Sequence, residues 1–281
     1  MRNFGCHISI SNGIRESFKF AFSVLRVNSI QIHPSSPVSW NVREFQDDDV
    51  EEIKSAFQSS GLEKLFFHGI YLINLASENK RINHLSKVSL INYLNLAYRV
   101  GSEGVVFHIG SLGNLEESEG LKRVIDSVNY ILENSAGGDL ILEVSAGSGK
   151  IFGGKFSDLS NVRNEVKNPE RIKFGLDTQH MWASGYDIKN SLENVMEDCE
   201  KTLGFENVSV IHINDSKSDL GSKIDRHENL GGGKIGLEVL KKFCNYPKIV
   251  ENNIPLILET PNVGKLDLIS NEVKIFYSLI T

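Results

Sequence analysis

LILEV, residues Leu140–Val144, sets a single carboxylate into an otherwise unbroken apolar run. A segment that is apolar on both faces reads as a parallel strand covered on both sides, not as an alternating surface strand. VVFHIG (Val105–Gly110), VSVIHIN (Val208–Asn214) and IPLILET (Ile254–Thr260) have the same character, each with one ionisable residue near its C-terminal end. Extended outward from these four, the pattern predicts eight strands: Asn3–Ile8, Ser29–Ile32, Lys64–His68, Val105–Ile109, Leu140–Val144, Ile172–Asp177, Val208–Asn214 and Ile254–Glu259. Helical periodicity fills the intervals and the tail, at 13–27, 47–60, 87–100, 121–134, 158–166, 188–201, 237–244 and 268–279. Eight β–α units in 281 residues predict an α/β fold of the (β/α)8 TIM barrel type, a parallel eight-stranded barrel usually about 250 residues long. An open doubly wound sheet is the competing topology, but no G-x-G-x-x-G follows the first strand. No linker divides the chain, so 1–281 is read as one domain.

Hydrophobic residues make up 40% and charged residues 23%, which excludes a disordered chain. The 3 Cys (Cys6, Cys199, Cys244) are odd in number, far apart and outside any Cys-x-x-Cys. That argues against a disulfide framework and for a reducing compartment. No apolar run reaches the roughly 18–20 residues that span a bilayer. The N-terminal MRNFGCHISISNGIRESF is too broken by charge for a secretory signal. The chain is therefore read as cytoplasmic, or nuclear if its source is eukaryotic or viral, with no membrane partner and as a monomer by default. The formal charge of −6, taken alone, argues against a polyanionic partner.

The ionisable residues fall where a barrel places its chemistry. Strand three ends in His68, four in His108, five in Glu143, six in Asp177 with His180 following, seven in His212 and eight in Glu259. The C-terminal strand ends of a barrel converge on its active face. Charged groups inside apolar strands are costly unless paired or bound to metal. Imidazole together with carboxylate is the ligand set of zinc or manganese. The long, polar, Gly-rich segment Ser216–Gly236 adds Asp225 and His227. Taken singly, each of these residues is more simply explained as a hydrogen-bonded core or surface group. The joint placement of five of the chain's 8 His is not so explained. Nine ligands would serve three ions, and two or three metals held together are an arrangement for splitting phosphodiesters. His7 and His33 also lie near the ends of strands one and two, whereas His84 sits in a polar connection.

At these residues the sequence resembles the endonuclease IV family of apurinic/apyrimidinic (AP) endonucleases, AP endonuclease family 2, along essentially its whole length. The motifs are HGIYLINLA (His68–Ala76), FHIGS (Phe107–Ser111), LEVSAGSG (Leu142–Gly149), GLDTQHMWASGYD (Gly175–Asp187), IHINDSK (Ile211–Lys217), DRHENLGGGKIG (Asp225–Gly236) and LILETPN (Leu256–Asn262). The resemblance implies a metal cluster at the C-terminal face, with three Zn2+ per chain and Mn2+ as the alternative at one position. It implies cleavage of double-stranded DNA on the 5′ side of an abasic site, leaving a 3′-hydroxyl and a 5′-deoxyribose phosphate, in base-excision repair. His68 and His108 would hold the first ion. Glu143 would bridge it to a second, completed by Asp177, His212 and Glu259. His180, Asp225 and His227 would hold the third. Glu143 and Glu259 would be the catalytic carboxylates nearest the nucleophile. The charges of three Zn2+ would cancel the formal −6, so an acidic chain is compatible with a positive catalytic face.

The resemblance also implies DNA contacts. Tyr71 and Leu72 stand where the family inserts a minor-groove wedge, and Lys217, Arg226 and Lys234 lie in loops suited to phosphates. HPSSPVSW (His33–Trp40) keeps Trp40 but lacks the Arg of the family's N-Q-R-Q-W loop. The alternative function is a metal-dependent sugar isomerase or epimerase on a related barrel, which would leave Asp225 and His227 without a purpose. A non-enzymatic damage-binding protein is a third reading, which the intact ligand set opposes.

Overall fold

The computed structural model describes residues 2–40 and 44–280. In chain order the strands are β1 (Phe4–His7), β2 (Ser29–Ile32), β3 (Lys64–His68), β4 (Gly104–Phe107), β5 (Leu140–Glu143), β6 (Ile172–Asp177), β7 (Val208–Ile213), the hairpin strands β8 (Asp215–Ser216) and β9 (His227–Glu228), and β10 (Leu256–Leu258). All except β8 and β9 run parallel and close into one barrel, with β1 bonded to β2 on one side and to β10 on the other. The expected topology is the observed one, with several strand ends trimmed by one or two residues.

The helices are α1 (Ile14–Phe20), α2 (Asp47–Ser60), α3 (Lys80–Val100), α4 (Glu117–Glu133), α5 (Phe156–Glu165), α6 (Thr178–Ser184), α7 (Leu192–Thr202), α8 (Leu237–Cys244), α9 (Pro247–Glu251) and α10 (Ile269–Ile280). α2 and α8 have the expected bounds. α3 starts well before the expected Lys87, because the Asn79 side chain accepts hydrogen bonds from the N–H groups of Arg81 and Ile82 and caps it there. The first helix, expected to reach Val27, passes into a π turn over Ala21–Leu25 and closes at Arg26 in the left-handed region, φ 57°. α6 was not expected as a helix. Thr178 through Ala183 are all buried, so it carries no polar face from which periodicity could be read.

The barrel has two apolar layers. One large cluster lies between strands and helices. A separate one, inside the barrel, consists of Phe66, Val106, Ile141, Val210 and Ile257. Each of these five stands two residues before a polar residue at its strand's C-terminal end: His68, His108, Glu143, His212 and Glu259. The period of two places both on one face, so the apolar plug forms a floor beneath the polar groups. Gly5 and Ser29 take the corresponding places in β1 and β2. A Cβ on Gly5 would run into the Ser29 carbonyl, so only glycine lets these strands close. Cys6, Cys199 and Cys244 are free and buried. Among the described residues, no helix is long and apolar enough to cross a membrane.

Candidate metal centre

Above the apolar floor, each barrel strand supplies one inward polar side chain: His7, Gln31, His68, His108, Glu143, Asp177, His212 and Glu259. His180 enters from the first turn of α6, where Asp177 Oδ1 caps the helix by accepting from the His180 N–H at 2.8 Å. His227 enters from β9. Three groups result, each with ligand atoms within 4.8 Å of one another: His68, His108 and Glu143; Glu143, Asp177, His212 and Glu259; and Asp177, His180 and His227.

Glu143 stands at the centre. Its Oε2 faces Nε2 of His68 at 3.2 Å and of His108 at 3.3 Å. Its Oε1 faces Nδ1 of His212 at 2.8 Å and of His180 at 3.3 Å. His212 Nδ1 also lies 3.2 Å from Glu259 Oε2. Asp225 reaches the third group from the rim, with its two oxygens 3.5 Å from Nε2 of His180 and 3.5 Å from Nε2 of His227. All nine sequence-predicted ligands therefore meet around one centre.

The tautomers indicate what this centre requires. His68 Nδ1 lies 2.8 Å from the Gly69 carbonyl, and His227 Nδ1 lies 3.2 Å from the Glu259 carbonyl. A carbonyl only accepts, so each of these nitrogens carries the hydrogen, and each ring in its neutral form turns an Nε2 lone pair to the cluster. Those lone pairs face carboxylate oxygens and, for His227, Nε2 of His180 as well. Among the described residues, Nδ1 of His108 and Nδ1 of His180 are buried without a hydrogen-bond partner. Lone pairs that face carboxylate oxygens in this way need a proton or a metal ion between them. The imidazole–carboxylate donor set suits a divalent transition metal, and the ligating rings carry the outer hydrogen bonds such ligands use.

The charges point the same way. Burial alone would depress His212, but Glu259, Glu143 and Asp177 outweigh it and hold the imidazole up at about 9. His180 is raised for the same reason, against burial, by Asp177, Asp225 and Glu143. Burial would raise Glu143 and Asp225. The surrounding imidazoles instead hold Glu143 well below the usual carboxylate range and Asp225 at about 2.

The segment 216–236, long and polar in sequence, is built rather than loose. β8 and β9 pair antiparallel with Ser216 opposite His227, which delivers His227 to the centre. The buried Asp215 carboxylate accepts from the backbone N–H groups of Gly231, Gly233 and Ile235 at 3.0–3.1 Å and of Gly236 at 3.3 Å. From α6, Trp182 Nε1 donates to the Ser218 carbonyl at 3.0 Å and Gln179 Nε2 donates to the Ile224 carbonyl at 3.0 Å.

Around the centre lies an open cavity of about 760 Å3, lined in part by His33, Tyr71, Arg226 and Thr260. Tyr71 stands on its rim 67% exposed and Leu72 38% exposed. The Tyr71 ring packs edge-on against His33 at 5.5 Å. Arg226 and Lys217 are exposed, the latter 3.9 Å from Glu228. Trp40 is half-buried against the core rather than projecting from the rim. Gln31 and His7 are further parts of the centre; the sequence places His7 near the end of strand one, outside the nine candidate ligands, and does not single out Gln31. The available signal was parity, since both stand two residues after an inward position.

The comparisons with known proteins agree with this geometry. Residues 27–277 match the family described as the xylose isomerase-like TIM barrel. A probable endonuclease 4 of Thermosipho melanesiensis is 34% identical over 100% of this chain and 99% of its own length. The crystal structure of endonuclease IV from Thermus thermophilus superposes with a TM-score of 0.86 at 30% identity, covering 100% of this chain and 99% of that one. A D-tagatose 3-epimerase-like protein shares the fold alone, at 17% identity and a TM-score of 0.74 over 100% of this chain and 97% of that one. The chain thus belongs to the endonuclease IV family of xylose isomerase-like TIM barrels.

Proposed function

We propose that this protein is a zinc-dependent AP endonuclease, hydrolysing the phosphodiester 5′ to an abasic site in double-stranded DNA to leave a 3′-hydroxyl and a 5′-deoxyribose phosphate, as a step of base-excision repair. The observation that carries the reading is the convergence of eight imidazoles and carboxylates, with Glu143 at their centre, in three groups that each suit one divalent ion, and the reach of Asp225 to the third from the rim. A sugar isomerase of related fold needs fewer ions, and the construction that delivers His227 and Asp225 would then serve no chemistry.

His68, His108 and Glu143 would hold the first ion, Glu143, Asp177, His212 and Glu259 the second, and His180, His227 and Asp225 the third. When bound, such ions supply an activated water and charge stabilisation for the phosphate and the leaving 3′-oxygen. The protein's part is positioning. Glu143 offers one oxygen to each of two groups and fixes their spacing. Glu259 presents Oε2 inward beside His212. The apolar floor of Phe66, Val106, Ile141, Val210 and Ile257 closes the centre from below and keeps water out on that side. On the rim, Tyr71 and Leu72 offer apolar surface to unstacked DNA, Arg226 and Lys217 offer charge to phosphates, and Trp40 supports the loop after β2.

Incubation of the protein with a duplex carrying one tetrahydrofuran abasic analogue, with and without a chelator, tests the reading. A chelator-sensitive nick with a 3′-hydroxyl end is the expected result, since this analogue cannot undergo β-elimination. An intact duplex in the presence of three bound metals would overturn it. Elemental analysis should return three zinc per chain, and one would favour the isomerase.

A further inference from the structure

We propose that Gln31 is a positioning residue of the metal centre. Its amide orients His212 and Glu259 together, so that one nitrogen of the first and one oxygen of the second are left free for the same ion. The inference rests on the metal centre described above but not on the choice of DNA as substrate.

Gln31 is fully buried at the inward position of β2, opposite His7 in the strand register. Its Nε2 lies 2.5 Å from Glu259 Oε1 and 3.0 Å from His7 Nδ1. Its Oε1 lies 2.9 Å from His212 Nε2. The directions follow from chemistry. A carboxylate oxygen only accepts, so the amide NH2 must face Glu259. The amide oxygen must then face His212, and because it too only accepts, His212 must carry its hydrogen on Nε2. Nδ1 is thereby left to the cluster, where it lies among oxygens of Glu143 and Glu259. By engaging Oε1 of Glu259, the same amide leaves Oε2 as the inward atom.

Two other rings of the proposed ligand set, His68 and His227, lean on backbone carbonyls, those of Gly69 and Glu259. His212 leans on a side chain instead. Its orientation is therefore a property of one replaceable residue, and that residue also holds a second ligand. Outer hydrogen bonds of this kind change metal affinity by roughly 10–100-fold.

The test compares Gln31→Leu, which keeps volume and removes all three bonds, with Gln31→Glu. The latter keeps an acceptor for His212 but turns a like charge on Glu259. Metal-free protein is titrated with zinc against a chromophoric chelator, with circular dichroism as the check on folding. In Gln31→Leu one of the zinc ions should bind roughly 10–100-fold more weakly while the others hold. The exchange-protected Nε2–H resonance of His212 in the zinc-loaded protein should disappear. Gln31→Glu should keep that resonance and still weaken the same ion, because the carboxylate restores the acceptor but not the donor. Full zinc affinity together with an intact His212 resonance in Gln31→Leu would overturn the proposal, as would a wild-type protein that binds no zinc. A wild-type protein that leaves abasic duplexes uncut, yet shows these zinc and resonance changes, would overturn the DNA reading and keep this one.

Discussion

Nε2 of His227 lies 3.3 Å from Nε2 of His180, while Nδ1 of His227 donates to the Glu259 carbonyl. One ring comes from β9 and the other from α6, so two unrelated pieces of chain bring two nitrogens to one point. Two neutral rings can share one hydrogen there, donated by His180 to His227, whereas a cation would engage both nitrogens at once. His227→Ala should therefore leave the barrel folded and reduce bound zinc by about one ion per chain, read by elemental analysis beside circular dichroism. Unchanged zinc content would remove His227 from the ligand set.

Glu259 should matter to rate more than to fold. It sits at the open end of the barrel beside His212, and its Oε2 faces inward. Glu259→Gln keeps the shape and removes the charge. A drop in kcat of roughly 100-fold or more is expected on the tetrahydrofuran duplex, with the unfolding midpoint of the metal-free protein little altered. An unchanged kcat would exclude Glu259 from the reacting centre.

Tyr71 tests the proposed contact with DNA at the rim, apart from the residues proposed to hold metals. Its ring is two-thirds exposed and propped by His33, an arrangement that offers a flat apolar face to a partner. Base–aromatic stacking contributes about 1–3 kcal/mol. Tyr71→Ala should thus weaken Kd for the abasic duplex by roughly 5–150-fold while zinc content stays full. Equal affinity in a gel-shift titration would reduce Tyr71 to a loop-packing residue.

Much of this was legible in the sequence, for a physical reason. Apolar strands that each place a histidine or a carboxylate at their C-terminal end announce both a barrel and the face that carries its chemistry. His68, His108, Glu143, Asp177, His212 and Glu259 could be read in that way. Gln31 had only its parity in the strand to mark it, because a neutral amide there is no anomaly until its partners are known. α6 was hidden by burial on every side. The order within Ser216–Gly236 was hidden because its organiser, Asp215, works through backbone N–H groups, which leave no trace in side-chain pattern. Trp40 kept the family's letter at its position, but the letter did not indicate that the ring packs inward.

Asp215 gives that last point a measurable form. Its carboxylate serves four backbone N–H groups of the segment 231–236, and Gly233 approaches it so closely that a Cβ there would meet Asp215 Oδ1. Asp215→Asn turns a donor toward donors and leaves buried N–H groups unpaired, at about 2–4 kcal/mol. The thermal midpoint should fall by roughly 5–15 °C, and zinc held by His227 should be lost more readily. The control is Asp219→Asn, whose exposed pair with Lys234 contributes little. Equal midpoints for the two variants would show that the segment holds itself together without Asp215.

Acidity should move the metal-free and zinc-loaded proteins in opposite directions. In the metal-free protein His212 is held at about 9, above its ordinary 6.5, by Glu259, Glu143 and Asp177 against the effect of burial. A raised imidazole stabilises the fold fully below 6.5 and loses that contribution as pH climbs through 9, to an upper bound of about 3 kcal/mol. Asp225, held at about 2 against an ordinary 3.8, contributes above 3.8 and loses its share as pH falls through 2. His33, which burial pushes down to about 3, works the other way and costs stability as pH falls below 6.5, so the metal-free protein should be most stable near pH 6–7 and weaken toward pH 9. Zinc requires those same imidazoles unprotonated, so its binding strengthens over the range in which the proton's contribution fades. Urea unfolding at pH 6 and pH 9, with and without chelator, should show the chelator costing far more stability at pH 9. An equal chelator effect at both values would mean that protons and metal do not compete for His212.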